Sequence, residues 1–122
     1  GISALNENVA QSLRGWLVDT ARQIVERRKV THMNSEKLSQ LLVNYGRLLG
    51  DQAETDKERT EALKMFEEAY SIDKSILALQ ELDPDADLAM HKENVARDIF
   101  MLGVCYYWKK EFQKAKDYFV QA

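Results

Sequence analysis

Residues 99–119 carry a spacing that few folds can accommodate. Ile99, Leu102, Gly103 and Tyr106 follow at helical steps, the charged turn Lys109-Lys110-Glu111 intervenes, and Ala115 and Phe119 resume the pattern. Apolar residues three and four apart put one stripe on each of two helices. So short a polar break makes those helices antiparallel neighbours. Gly103 has no side chain, which lets the backbones approach closely. Small Ala115 and large Phe119 alternate on the facing helix, so the two surfaces interdigitate. A helical hairpin is expected here.

The remaining chain reads as helix too. From Ala4 to Arg28, Leu5, Val9, Leu13, Trp16, Leu17, Thr20 and Ile24 recur at three- and four-residue steps and give one apolar stripe. Glu26-Arg27-Arg28-Lys29 closes that helix, with positive charge complementing its dipole. Val30–Asn34 is expected as a connector, with Asn34 or Ser35 capping the next helix. Leu38, Leu41, Leu42, Tyr45, Leu48 and Leu49 predict a second helix over 36–50, with Gly50 as its C-cap. Thr55-Asp56-Lys57-Glu58 is a capping box opening a third helix of roughly 26 residues. Asp83-Pro84 stops it and predicts a fourth helix from Pro84 to Trp108, followed by a fifth from Phe112 to the end. Five Gly and one Pro in 122 residues fit a helical domain, and no segment shows sustained period-two alternation. The expected fold class is all-α, one domain over 1–122: an N-terminal helix (4–28), a first helix pair (36–82) and a second (84–122).

The opening pattern has an upstream echo. Ala62, Phe66 and Ala69 match Ala115, Phe119 and Ala122 at a constant offset of 53 residues. Leu42-x2-Tyr45-Gly46-x2-Leu49 precedes the first set, as Ile99-x2-Leu102-Gly103-x2-Tyr106 precedes the second. On these residues the chain resembles the tetratricopeptide-repeat (TPR) family over about 38–74 and 96–122. Its period is longer than the family's roughly 34 residues, because the third and fourth helices are elongated. The resemblance implies antiparallel hairpins stacked as a fragment of a right-handed α-solenoid. It also implies a concave groove lined by the first helix of each pair. In this chain that face would carry Val43, Asn44, Arg47, Arg97, Phe100, Met101, Val104 and Trp108. An array whose last helix is uncapped exposes apolar area to a further repeat, a second chain or a bound segment, so a longer protein is expected around this one.

Chemistry-bearing motifs are sparse. His32 and His91 have no Cys or His at metal-ligand spacing. There is no Gly-rich phosphate loop, nucleophile elbow or His-Glu-x-x-His. The single Cys105 lies in an apolar run that would raise its pKa, and a free thiol there fits a reducing, cytoplasmic setting. The net charge of −3 is uneven: residues 51–93 hold 13 acidic against 5 basic side chains, while both flanks are weakly positive. No basic stripe points to nucleic acid, and the longest apolar run is too short to span a bilayer.

These readings predict a non-catalytic module without cofactor or metal. It would serve a larger scaffold or adaptor by binding a peptide or helix in an apolar groove that Asn44 also faces, oriented by the charges of Arg47 and Arg97. Phe100, Met101 and Trp108 could equally pack within the chain. Self-association through the first or last helix is the second reading. A small organelle-surface adaptor of the fission-factor type is the third.

Overall fold

The computed structural model describes residues 2–30 and 35–122. Among them are five α-helices and no strand: α1 (Ile2–Val30), α2 (Ser35–Asp51), α3 (Asp56–Gln80), α4 (Ala89–Trp108) and α5 (Phe112–Gln121). Of the expected connector over 30–34, Val30 belongs to α1 instead, and residues 31–34, with Asn34 as a cap and His32 in the loop, lie outside the described residues. So do the side chains of Arg28 and Lys29.

Each helix packs against the next in sequence. The core runs through four of them: Val18 and Val25 of α1, Leu42, Val43, Tyr45 and Leu49 of α2, Ala62, Leu63, Phe66 and Ala69 of α3, and Met101, Leu102 and Cys105 of α4. α2 and α4 also lie side by side, since Arg97 Nη1 donates to Gln40 Oε1 at 3.4 Å and the Trp108 ring lies over Gly50.

Three glycines set the spacing, each by receiving an aromatic ring. A Cβ on Gly46 would sit 2.9 Å from Phe66, one on Gly103 would sit 2.7 Å from Phe119, and one on Gly50 would overlap the Trp108 ring. The first two joints lock the α2–α3 and α4–α5 hairpins, and the third locks α2 to α4. Gly46→Ala should therefore be destabilising, because the fully buried Phe66 ring cannot yield. Overpacking costs about 1–3 kcal/mol, against a helix-propensity gain of up to about 1. Gly103→Ala should be nearer neutral, because the partly exposed Phe119 can swing outward. Urea denaturation of the two variants checks that order.

Two expectations are corrected. Gly50 does not cap α2; the helix continues to Asp51, and Gly50 serves as the seat for Trp108. The fourth helix starts at Ala89 rather than Pro84. Asp83 Oδ1 accepts from the Asp85 amide and Asp87 Oδ1 from the Ala89 amide, both at 3.0 Å. Carboxylates that bond two residues ahead close turns instead of capping a helix. The apolar stripe of α1 is largely exposed, with Val9, Leu13, Trp16, Leu17 and Ile24 all facing solvent, while Val18 and Val25 on the other side enter the core.

The Thr55 half of the capping box at α3 forms, while Glu58 bonds one residue ahead of the cap. Thr55 is extended (φ −127°, ψ 156°) and its Oγ1 accepts from the Glu58 amide at 3.2 Å. Glu58 reaches back to the Glu54 amide and also receives Arg14 of α1 at 2.6 Å. The turn between α4 and α5 lies where the charged triplet placed it, with Lys110 at φ 63°.

Candidate functional site

The side chains expected on one groove separate into three settings. Val43 and Met101 are core residues, and Trp108 is spent on Gly50. Val104 is half-buried against the core. Asn44 and Arg47 are exposed on α2. Asn44 accepts a hydrogen bond from Gln40 at 3.1 Å and borders a shallow apolar groove between α1 and α2, walled by Leu17, Ile24, Leu41 and Leu48.

Arg97 is engaged internally. Its Nη2 donates to Asp73 Oδ2 at 3.2 Å and to Asp98 Oδ1 at 3.1 Å, while Ser39 Oγ donates to the same Asp73 oxygen at 2.7 Å. Both carboxylates are buried, and Asp98 Oδ2 has no hydrogen-bond donor. One guanidinium thus serves two buried acids where α2, α3 and α4 meet. Burial, then the hydrogen bond and negative charge of Asp73, push the Asp98 carboxyl up to about 8 against the pull of Arg97. The balance favours the protonated form of Asp98 at neutral pH.

A second polar knot ties α1 down. Tyr45 donates to Glu61 at 2.5 Å, and Arg22 donates to Glu61 and to the Tyr45 hydroxyl at 2.9 Å each. Burial alone would raise Glu61, but the Tyr45 and Arg22 hydrogen bonds outweigh it and hold the carboxyl below its usual range. These contacts fix helices and leave no open reactive group. Cys105 is fully buried, which pushes its thiol up to about 12 and keeps it protonated and inert as a nucleophile.

Phe100 alone of the expected residues sits in an exposed aromatic cluster, and its companions were not foreseen. It lies 5.3 Å from Phe119, and one register further along α4, Tyr107 lies 5.6 Å from Phe112. Phe100 and Tyr107 are seven residues apart on one face of α4, about 10 Å along its axis. Their exposures are 50% and 58%, and those of Phe112 and Phe119 are 59% and 38%. The available signal was that spacing of seven together with the aromatics at both ends of α5.

Among the described residues no group of three His, Cys, Asp or Glu side chains could hold a metal ion, and no helix is long and apolar enough to cross a membrane. No family model matches the chain, and no match was found among curated proteins or solved structures.

Proposed function

We propose that the chain is a non-catalytic protein-interaction module, a TPR-like stack of helical hairpins that holds an apolar helix or peptide of a partner against the aromatic edge of α4 and α5. The observation that carries this reading is the set of four exposed rings, Phe100, Phe119, Tyr107 and Phe112, mounted in two pairs on a hairpin that Gly103 locks. Aromatic side chains lose little entropy on binding and dominate interface hot spots. The repeated glycine–phenylalanine joint and the side-by-side placement of α2 and α4 support the solenoid part of the reading. Arg47, exposed on α2 and without an ion pair among the described residues, supplies orienting charge. Arg97 acts indirectly, by holding α3 to α4.

The test is a paired variant, Phe100→Glu with Tyr107→Glu, immobilised beside the wild type and beside Leu82→Glu, an exposed control on another face. Proteins retained by the wild type and by Leu82→Glu should be lost at least about tenfold on the paired variant, with far-UV circular dichroism unchanged. Equal retention on all three refutes the aromatic edge as the binding surface.

A further inference from the structure

The N-terminal part of α1 is a helix without a bed. Among the described side chains, Ala4 and Asn6 to Leu13 are exposed, and the first contacts with the body are made around Arg14 and Val18. An isolated helical segment of that length is marginal in water. Its apolar residues are nonetheless in register with those further along. Val9, Leu13, Trp16, Leu17, Thr20 and Ile24 lie on one face of the helix, separated by steps of four, three, one, three and four.

That order of steps is the same in both directions. Turned end for end about its midpoint between Trp16 and Leu17, the stripe meets itself: Val9 falls opposite Ile24, Leu13 opposite Thr20, and Trp16 opposite Leu17. Self-complementarity of this kind is what a two-fold interface requires. We propose that α1 is a pairing element, and that a second copy of this chain lays its own α1 antiparallel on the stripe Val9–Leu13–Trp16–Leu17–Ile24.

Two further observations select a second copy in this orientation. The first is coverage. The projecting part of each α1 lies along the anchored part of the other, where Leu41 and Leu48 of α2 widen the apolar floor. The second is area. Five apolar side chains between 37% and 62% exposed amount to roughly 500 Å² per copy, or about 1,000 Å² for the pair, the lower bound for a specific interface. Arg14–Glu58 and Arg22–Glu61 occupy the opposite face of α1 and stay intact.

Sedimentation of the whole chain from low to several hundred micromolar tests this. The mass should rise from 14.1 kDa toward twice that value, and Leu13→Glu or Trp16→Glu should weaken pairing at least about a hundredfold with helicity retained. Because both positions are solvent-exposed in the single chain, these variants still fold. Orientation is read by mixing Leu13→Cys chains with Thr20→Cys chains under mild oxidation, with buried Cys105 left in place. The mixture should form disulfide-linked dimers that Leu13→Cys alone does not. A strict monomer at every concentration, a dimer unaffected by both Glu variants, or cross-linking of Leu13→Cys to itself would each overturn the proposal. Dimerisation should survive Phe100→Glu with Tyr107→Glu, so its outcome is independent of the aromatic edge.

Discussion

Phe66→Ala is expected to lower the unfolding free energy by about 3–5 kcal/mol, a large share of the roughly 5–15 kcal/mol available to a domain of this size. Phe66 is fully buried, and its ring fills the space that Gly46 leaves on α2. Truncation removes the apolar transfer energy of a whole ring and opens a void whose far wall has no side chain with which to collapse. The corresponding change in the second hairpin, Phe119→Ala, should cost clearly less, about 1–2 kcal/mol, because Phe119 already gives 38% of its surface to water. Urea midpoints with unchanged slopes measure both. Equal losses would mean that the two joints are equally buried in solution, and that the second hairpin is covered by something other than α3.

The contrast shows what the residue pattern could convey. The two hairpins were legible because short-range spacing decides which helix faces meet across a turn, and the Ala-x3-Phe pattern recurs at an offset of 53 residues. The two glycines stand 57 residues apart, so which ring seats on which glycine followed only from the packing. Whether a face is covered is another matter. Leu13, Trp16 and Leu17 share one side of α1 by periodicity, but periodicity does not say which side meets α2. The thinner line of Ala21, Val18 and Val25 takes that contact, helped by Arg14 and Arg22 reaching α3. Gly50 was read locally, as a helix end, although its reason lies 58 residues away at Trp108. Arg97 looked like a groove cation because its neighbour Asp98 and distant Asp73 could not be seen to be buried. Long-range partners, not local propensities, account for each of these differences.

Asp98→Asn should flatten the dependence of stability on pH between about 5.5 and 8 and should make the protein more stable than wild type above pH 8. The sign follows from where the proton is held. In the unfolded chain Asp98 has an ordinary carboxyl, ionised above about pH 4. In the folded chain burial and Asp73 keep it protonated up to about 8. Between those values the native state binds one proton more than the unfolded state. Stability therefore falls as pH rises, by up to about 1.4 kcal/mol per pH unit, and levels off once both states are ionised. The charged groups around Asp98 are few: Asp73 from α3 and Arg97 from α4, with α2 contributing only the neutral Ser39 and Gln40. Glu58 and Glu61, whose carboxyls are held low, respond only at more acidic pH and with the opposite sign. Asparagine reproduces the protonated acid, since its amide can donate to Asp73 as the carboxyl proton does while its oxygen still accepts from Arg97. Urea denaturation at half-unit pH steps should give a falling line for the wild type and a nearly level one for Asp98→Asn, the two crossing below pH 8. Parallel lines would show that Asp98 is already ionised in the fold, with Arg97 neutralising both carboxylates. Asp73→Asn in the wild-type background should then be tested in the same way. If the pair shares one proton, removing the Asp73 charge relieves Asp98, and the slope above pH 5.5 should shrink there as well.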